Sequence, residues 1–393
     1  MPQLPGGHQG NLTSSPWRFS RSSARSTNLY IIAEAGVNHN GRVELALQLV
    51  EAAKAAGADC VKFQAYTTEE LVTHSAAKAP YQQGCGSPAE SQYAMLRKYE
   101  LTAREFAKIK THCEEVGVEF LVTPFSPGWV KIFEDLGVSA YKIGSGNLQF
   151  IELLETIGET KKPVFLSKGM STLAQADRVI DILRRSGCDF ISLLHCISSY
   201  PTKLEDANLK TIGMLASHIR LPVGFSDHTL ELETGLLAVE NGAEILEKHL
   251  TLDRNLEGPD HAMSLSPEDM KLYIERARSF ATKNSLERQQ AVAQDRELSS
   301  LSAIASGNVL FEPLPGERAI KEAAGMSVVA KQAIPKDSII TREMVTVKRP
   351  GTGIPADRIE QVIGSAAVRG MEADQVIAPD DIQAGSGLRG TGW

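Results

Sequence analysis

The chain has 393 residues, 42% of them hydrophobic and 23% charged, which is typical of a globular protein. Its net charge of −7 and its pI near 5.8 argue against general nucleic-acid binding, although local lysines and arginines can still bind an anion. Five scattered cysteines and the lack of any run of about 20 apolar residues predict neither a disulfide framework nor a membrane span, so we expect a cytoplasmic protein without a membrane partner.

The N-terminal stretch 1–28 is predicted to be a disordered extension. It is rich in Ser, Arg, Gly and Pro, contains no acidic residue and lacks the apolar centre of a secretory signal. A transit peptide, which shares the Ser/Arg bias, is the alternative.

Between Leu29 and Leu250 a β-rich apolar run, a turn and an amphipathic helical stretch recur in series. Eight such units predict a (β/α)8 TIM barrel over residues 29–282. The alternative is a doubly wound open sheet, which favours a GxGxxG loop after its first strand. Here Asn38-His39-Asn40-Gly41 stands at that position, so the barrel is preferred. The predicted strands are 29–36, 59–64, 119–125, 140–146, 163–169, 190–196, 222–228 and 244–250.

The connection 67–100 is long for a turn between strand and helix, and it carries Tyr81, Gln82 and Gln92. Long loops at the active face of a barrel are often lids or binding loops, whereas the simpler interpretation is a surface excursion.

Three segments follow the barrel. Residues 283–316 are polar and are predicted to be a linker. In 317–383, short β-like runs alternate with Pro/Gly turns, which predicts a small β-rich domain. The Gly-rich end, 384–393, is predicted to be a flexible tail.

Polar side chains stand at the carboxyl ends of all eight predicted strands. In a TIM barrel these ends face the active site. Buried polar groups are costly unless they are paired, so such a mouth requires a polar ligand or solvent. The residues are Glu34, Lys62, Gln64, Thr123, Lys142, Ser145, Ser167, Lys168, His195, Ser198, Tyr200, Ser226, Asp227, His228, Glu247, Lys248 and His249.

One group in this set suits an anion. Lys62 and Lys142 supply positive charge, and nearby serine and threonine hydroxyls supply directional donors for a phosphate or carboxylate. The alternative is that the lysines pair with Glu34 or Glu247 inside the mouth.

A second group suits a metal ion. His228 and His249 end neighbouring predicted strands, where two imidazoles can share one divalent cation and leave positions for water and substrate. With oxygen donors nearby, Mn²⁺ or Mg²⁺ fits better than structural zinc. His39 and His195 are weaker candidates.

Ten stretches of the chain resemble the sialic acid synthases, and they occur in the order in which that family has them. The sialic acid synthases condense phosphoenolpyruvate with an N-acetylmannosamine-type sugar. The resemblance covers about residues 29–383. It implies a TIM barrel followed by an antifreeze-like (SAF) domain, and a domain-swapped homodimer in which one subunit's small domain closes the other's active site. The stretches are AEAGVNHNG, GADCVKFQ, TPFS, YKIGSGN, LSKGMSTL, LLHCISSYPT, EDANL, VGFSDHT, EKHLTLDRNLEGPDH and VKRPGTGIP.

The resemblance also implies roles for individual residues. His228 and His249 would hold the metal, typically Mn²⁺, with Mg²⁺ or Co²⁺ as alternatives, and Arg349 would reach the N-acyl group of the sugar from the partner subunit. The sugar would also meet Glu34, Gln64, Tyr200 and Asp260. Phosphoenolpyruvate would meet Lys62, Thr123, Lys142, Ser145, Ser167, Ser198 and Ser226.

Three positions depart from the family pattern. Ser198 stands where bacterial members often have Asn. Lys168 replaces a small hydroxyl residue, and Asn147 replaces an acid.

Glu34 and Glu247 are the candidate proton carriers, and nearby cations would favour their ionised forms. We expect Glu34 to serve the sugar hydroxyls or the aldehyde oxygen, and Glu247 to activate water. Lys62 and Lys142 would stabilise the departing phosphate.

Other functions remain open at this point. A metal-dependent hydrolase would use the histidines with Asp227 or Asp260, and a non-catalytic glycan-binding protein would use the β-rich domain alone. For a synthase, N-acetylmannosamine is the preferred acceptor, because no additional basic cluster awaits a 6-phosphate. N-acetylmannosamine 6-phosphate and 2,4-diacetamido-2,4,6-trideoxy hexoses, the acceptors of legionaminate- and pseudaminate-type synthases, are the alternatives.

Overall fold

The structure is a computed structural model that describes residues 29–87 and 89–383. The predicted N-terminal extension and the predicted flexible tail lie outside these residues. In the described ranges no helix combines the length and the apolar character that crossing a bilayer requires.

Eight parallel strands close into a barrel in chain order, which confirms the predicted TIM barrel. An open sheet is excluded because the first strand pairs with both the second and the eighth. In this register Glu34 lies beside Lys62 on one side and beside His249 on the other. The strands are β1 Tyr30–Gly36, β2 Cys60–Ala65, β3 Glu119–Pro124, β4 Tyr141–Ile143, β5 Val164–Ser167, β6 Ile191–Cys196, β7 Val223–Asp227 and β8 Ile245–His249.

Helices cover the outside of the barrel. In the first of them Ala46, Leu49, Val50 and Ala53 are buried at helical spacing, and the helix ends at Gly57, whose φ of +89° is one that glycine adopts readily. The helices up to the end of the barrel are α1 Val43–Ala56, α2 Thr68–Leu71, α3 Gln92–Arg97, α4 Ala103–Val116, α5 Pro127–Leu136, α6 Ile151–Glu159, α7 Leu173–Arg185, α8 Lys210–Ile219, α9 Thr234–Glu240 and α10 Pro267–Ala281.

The barrel interior is layered. An apolar cluster fills its middle, and the residue two positions further along each of these strands is polar or a cysteine. Because side chains two apart on a strand share a face, the polar layer lies directly above the apolar one, at the carboxyl ends of the strands. The apolar cluster contains Ile32, Cys60, Leu121, Ala140, Phe165, Leu194 and Ile245.

The long connection between β2 and α4 forms its own small structure on the barrel mouth. It contains α2, a short 3₁₀ helix at Pro80–Gly84, and α3. Its apolar side chains Leu71, Met95 and Leu96 pack with Phe125 of the barrel. We call residues 67–100 the insertion.

The segment 283–316 connects the two domains, but it is more structured than a polar linker suggests. It contains α11 Ser285–Gln294 and α12 Arg296–Ser306, each capped by an Asn or Asp side chain at its start. Its last part runs along the barrel, and a final helix, α13 Arg318–Ala324, lies over the mouth. We call residues 307–324 the strap.

The C-terminal domain is small and β-rich, as predicted. Its strands form two antiparallel pairs around one apolar cluster. The elements are β9 Ser327–Ala330, β10 Val345–Lys348, β11 Ala366–Ala367 and β12 Ile382–Gln383, with the short helix α14 Ile359–Val362.

This domain lies on the barrel of its own chain, against the insertion. The backbone N–H of Arg349 donates to the carbonyl of Leu71 at 2.9 Å, and the N–H of Thr73 donates to the carbonyl of Arg349 at 3.0 Å. In this structure, which contains one chain, Arg349 thus reaches the mouth of its own barrel, and its supply by a partner subunit stays a prediction of the resemblance. The strap, which is hydrogen-bonded along its own barrel, leads the chain to this position. Its Asn308 N–H donates to Asn208 at 2.7 Å, and its Phe311 carbonyl accepts from Leu173 at 2.8 Å.

Candidate active site

Every residue that the resemblance assigns to the metal or to a substrate, together with Glu247, lines one cavity of about 140 Å³ at the carboxyl ends of the barrel strands. Most come from strand ends, while Asp260 follows β8 and Arg349 comes from the C-terminal domain. The residues are Glu34, Lys62, Gln64, Thr123, Lys142, Ser145, Ser167, Ser198, Tyr200, Ser226, His228, Glu247, His249, Asp260 and Arg349.

The two lysines are paired with the two glutamates, which is the alternative left open above. Lys62 Nζ lies 2.6 Å from Glu34 Oε2, and Lys142 Nζ lies 3.1 Å from Glu247 Oε1. Both lysines also reach hydroxyls, Lys142 donating to Ser167 at 2.8 Å and Lys62 to Thr123 at 3.5 Å. The cluster is close to neutral as a whole, and its cations stand beside hydroxyls that an incoming anion can contact.

The two glutamates differ in their protonation. Burial raises the pKa of Glu247, but Lys142 and Lys62 outweigh it and hold this pKa at about 2. For Glu34 burial is the larger effect, so its pKa lies above the ordinary value although Lys62 and Gln64 oppose the shift. The expectation that nearby cations favour the ionised form therefore describes Glu247, whereas Glu34 holds a proton more readily.

Serine hydroxyls also line the cavity, within and beside this charged cluster. Ser226 donates to Glu247 at 2.7 Å, and the hydroxyls of Ser145 and Ser198 are 3.2 Å apart. A Cβ on Gly169 would stand 2.5 Å from Ser145 Oγ and 2.6 Å from Ser198 Oγ, so only glycine leaves room for this pair.

His228 and His249 face each other, with ring centroids 5.4 Å apart. The Nδ1 of His228 is 2.9 Å from the carbonyl of Ile197, which fixes Nδ1–H as the donor and leaves Nε2 available as a ligand. Burial lowers the pKa of His228 to about 4, and burial with the charge of His228 lowers that of His249, so both rings are neutral near pH 7.

A metal ion held by this pair would occupy an open site rather than a closed structural one. In the described residues no group of three or more His, Cys, Asp or Glu side chains could hold a metal. Two imidazole ligands therefore leave the remaining coordination positions to water and substrate, as an open site requires. Asp260 is 3.9 Å from His249 Nδ1 and offers a carboxylate beside them.

The cavity is also lined by Gln64, Tyr200, Asp260 and Arg349. Gln64 donates to Glu34 at 2.9 Å, and the Tyr200 ring lies 4.3 Å from the His228 ring. Burial, with the charge of Glu34, raises the pKa of Asp260 to about 7. Arg349 lies over the Phe125 ring at 5.2 Å and has no ion pair in the described part of the chain. A guanidinium in this state can bind a carbonyl or carboxylate of a ligand.

Sequence reasoning missed the strap as part of the site. Glu317 is 1% exposed, and its carboxylate accepts from the backbone N–H of Ser198 at 2.7 Å. Ile320 and Ala324 of α13 line the cavity. No local signal marks Glu317, because its partner lies 119 residues away in the sequence.

Two departures from the family pattern lie outside the cavity wall. Lys168 is buried at the base of the strap, where burial lowers its pKa while the charge of Glu317 raises it. Asn147 is 1% exposed, and in the described residues neither of its side-chain polar atoms has a hydrogen-bond partner. Nothing in the structure explains the exchange at Asn147.

Asp227 and Lys248 form a separate network behind the barrel wall. Asp227 accepts from Thr229 at 2.7 Å and from Tyr273 at 3.1 Å, and it pairs with Lys248 at 2.9 Å. A carboxylate with these partners is not available to activate water, which removes one residue of the hydrolase alternative.

The Asn38-His39-Asn40-Gly41 turn holds the rim together. The Asn38 amide donates to the Leu250 carbonyl and to Ser264, each at 2.9 Å, and the Asn40 amide donates to the Glu257 carbonyl at 3.0 Å. The turn thereby ties the end of β1 to the loop after β8, and His39 does not line the cavity.

Comparison with known proteins gives matches along most of the chain. The NeuB family matches residues 49–288, and the SAF domain matches residues 325–383. The chain is 35% identical over 349 residues to N,N'-diacetyllegionaminic acid synthase of Campylobacter jejuni, covering 88% of this chain and 98% of that one. It is 31% identical over 350 residues to N-acetylneuraminate-9-phosphate synthase of Homo sapiens, covering 88% and 91%. The structure of spore coat polysaccharide biosynthesis protein spsE from Bacillus subtilis superposes with a TM-score of 0.73 at 28% identity, covering 91% and 96%.

Proposed function

The chain belongs to the NeuB family, and from this membership we propose that it is a sialic-acid-synthase-type transferase that condenses phosphoenolpyruvate with an open-chain N-acyl amino sugar. The observation that carries the proposal is the composition of the cavity at the barrel mouth. It holds two lysines with serine and threonine hydroxyls, two neutral imidazoles, and a guanidinium that has no ion pair in the described residues. These groups suit a phosphate with a carboxylate, a divalent cation, and an N-acyl sugar, respectively.

The phosphoenolpyruvate end comprises Lys62, Lys142 and the hydroxyls beside them. An incoming dianionic phosphate would form ion pairs with these two lysines, which now pair with Glu34 and Glu247. The hydroxyls of Ser145, Ser167, Ser198, Ser226 and Thr123 would donate to its oxygens.

His228 and His249 are the proposed metal ligands, with Mn²⁺ as the first choice and Mg²⁺ or Co²⁺ as alternatives. The chemistry that such a cation supplies is Lewis-acid polarisation of the aldehyde oxygen. The two imidazoles need lose no proton to bind it, since their pKa values are low.

In the proposed reaction the methylene carbon of phosphoenolpyruvate forms a bond to the aldehyde carbon, and C2 of the former phosphoenolpyruvate becomes positive. Glu34 supplies the proton that the aldehyde oxygen gains. Water adds to C2, and Glu247, with Oε1 within reach of Ser226 and Lys142, takes the proton of that water. The tetrahedral intermediate then breaks its C–O bond, and Lys62 and Lys142 stabilise the departing phosphate.

The charged groups that line the cavity favour an acceptor sugar without a phosphate group. Apart from the two lysines of the phosphoenolpyruvate end, Arg349 is the only Lys or Arg among the described residues that line the cavity, and the carboxyl groups of Glu34 and Asp260 line it as well. A 6-phosphate would meet these carboxyl groups without an additional cation. N-acetylmannosamine is the acceptor expected from the sequence resemblance, and a 2,4-diacetamido-2,4,6-trideoxy hexose is the alternative suggested by the legionaminic acid synthase relative.

The test is a phosphate-release assay with purified protein, Mn²⁺ and phosphoenolpyruvate against N-acetylmannosamine, its 6-phosphate and the diacetamido hexose. We expect phosphate only when both substrates are present. Phosphoenolpyruvate labelled with ¹⁸O at the bridging position should lose the label to phosphate, whereas label retained in the sugar acid would disprove C–O cleavage. Release from phosphoenolpyruvate alone would favour a hydrolase, and binding without turnover would favour a glycan-binding protein.

A further inference from the structure

The place of Arg349 in the cavity is set mainly by its backbone. Its guanidinium has no ion pair in the described residues, and its Nε has no hydrogen-bond partner among them. Its main-chain N–H and carbonyl, in contrast, both pair with the insertion, at Leu71 and Thr73. The groups that hold the insertion against the C-terminal domain therefore decide where this guanidinium meets a ligand.

A third contact extends this pairing by one residue of the insertion. The N–H of His74, which follows Thr73, donates to Asp374 Oδ2 at 2.7 Å. The other oxygen of the same carboxylate, Oδ1, accepts from Lys348 Nζ at 2.7 Å. Lys348 directly precedes Arg349 in the sequence. One carboxylate thus joins the backbone of the insertion to the neighbour of the cavity-lining arginine.

Asp374 and Lys348 form the protected part of a larger charged cluster. Their side chains are 20% and 11% exposed, so water screens this ion pair only in part. The ring of His74 lies 3.2 Å from Asp374 Oδ2 through Nδ1 and 3.1 Å from Glu69 Oε2 through Nε2. Because the side chains of His74 and Glu69 are more than half exposed, their ion pairs contribute little, and we assign the contact to Asp374.

Asp374 is itself held in place within the C-terminal domain. Its N–H donates to the carbonyl of Ala330 in β9 at 2.8 Å, and β9 pairs with β10, which ends at Lys348. Its φ of +67° lies in the left-handed region, which aspartate adopts more readily than most residues. This backbone places the two carboxylate oxygens between Lys348 and the insertion.

We propose that Asp374 is a positioning residue for Arg349, and that its carboxylate keeps the guanidinium where the acceptor sugar binds. The inference rests on the proposed condensation. Arg349 lines the cavity and Lys348 does not, as expected for neighbours in an extended segment, so Asp374 acts from outside the cavity. Without the carboxylate, the C-terminal domain contacts the insertion in a smaller fraction of the molecules, and the sugar binds only that fraction.

The experiment compares wild-type protein with Asp374→Gly, which removes the carboxylate and tolerates the left-handed backbone. Phosphate release is measured with N-acetylmannosamine, or with the diacetamido hexose if only that sugar reacts, at saturating phosphoenolpyruvate and Mn²⁺. We expect the KM for the sugar to rise about tenfold and kcat to change less than about twofold, because saturating sugar restores the contact. The KM for phosphoenolpyruvate should not change, since Lys62 and Lys142 belong to the barrel strands.

Hydrogen exchange followed by mass spectrometry gives a readout that does not depend on activity. The amides of Thr73 and His74 donate to Arg349 and Asp374, so a peptide spanning 71–76 should exchange about fivefold faster in Asp374→Gly. Peptides from the barrel strands should exchange as in wild type. Asp374→Asn keeps one acceptor oxygen and loses the charge, so it should show smaller changes in the same direction, and it serves if the Gly variant does not fold.

The matched control is Asp337→Gly. Asp337 lies in the same domain, has a φ of +62° and is exposed. This variant makes the same exchange at the same kind of backbone position, and it should match wild type in both KM values and in the exchange of 71–76.

The outcomes separate this inference from the proposed function. A wild-type KM for the sugar in Asp374→Gly, or equal rises in KM for the sugar and for phosphoenolpyruvate, would overturn the positioning role. Unchanged exchange of 71–76 would also overturn it, because the carboxylate would then not hold the insertion. In these cases the condensation itself would stand. No phosphate release with any acceptor would refute the condensation and the inference together.

Discussion

Glu34 is the residue whose environment departs most from expectation. It lies between Lys62 at 2.6 Å and Gln64 at 2.9 Å, yet burial keeps its pKa above the ordinary value. A carboxyl group with this balance can donate a proton as well as accept one. Glu247, with three cationic or hydroxyl contacts from Lys142, Lys62 and Ser226, is held ionised. The two carboxyl groups thus differ in protonation because their contacts with lysines and hydroxyls differ. Glu34 suits the role of an acid, and Glu247 suits the role of a base.

Glu34→Gln should lose most turnover, about 10²-fold or more, because the amide cannot give a proton to the aldehyde oxygen. Phosphoenolpyruvate should still bind, since Lys62 retains Glu247 at 3.9 Å and its hydroxyl neighbours. Steady-state kcat and the Kd of phosphoenolpyruvate by calorimetry measure the two effects. Near-normal kcat would remove Glu34 from its assigned role.

Glu119, at the opposite end of the barrel, gives a prediction about stability and pH. Burial and the charge of Asp59 raise the pKa of Glu119 from 4.5 to about 7. A carboxyl whose pKa is higher in the folded state stabilises the fold while protonated. This contribution is lost as the pH rises from the unfolded value through about 7.

Urea unfolding of Glu119→Gln between about pH 5 and pH 8 should therefore show a flatter dependence of the free energy of unfolding on pH than wild type. Glu155→Gln, at an exposed position, is the control and should keep the wild-type slope. Parallel curves for wild type and Glu119→Gln would mean that Glu119 titrates normally.

At the scale of elements, the strands and their polar ends were predictable because the signal is local. Ile32 and Glu34, or Leu121 and Thr123, are two residues apart, so strand alternation puts both on the interior face. Glu317 carries no such signal. Its place in the site depends on a backbone N–H just after the end of β6. Residues whose roles depend on non-local contacts become visible only when the fold brings them together.

The contact between Glu317 of the strap and Ser198 allows a test of such a non-local role. Glu317→Ala removes the acceptor for the Ser198 N–H and should displace the Ser198 hydroxyl from the phosphoenolpyruvate end. We expect the KM for phosphoenolpyruvate to rise about tenfold while kcat changes less, because the lost contact is made in both ground and transition states. Glu322→Ala, at an exposed position of the same strap, is the control. A fall in kcat at constant KM would indicate that the strap acts on the chemistry instead.

In the single chain of this structure, one polypeptide supplies every described residue of the cavity, whereas the resemblance implies that a partner subunit supplies Arg349. The strap is tied to its own barrel through Asn208, Leu173 and Ser198, so the C-terminal domain reaches its own mouth. A homodimer remains a prediction of the resemblance, as does a cytoplasmic location. The partner subunit as the source of Arg349 remains a prediction in the same way.

Mixing two inactive variants distinguishes the two sources of Arg349. Glu34→Gln affects the barrel and Arg349→Ala affects the C-terminal domain, and each alone should lose most turnover. If the domain closes its own barrel, every chain in a mixture carries one defect in its only site, so denaturing and refolding the two together should recover no activity. In a swapped dimer, a mixed pair would combine both defects in one site and leave the other intact, and about a quarter of wild-type activity would return. Recovery at that level would show that the partner supplies Arg349. Refolded wild-type protein, treated identically, provides the reference for the yield.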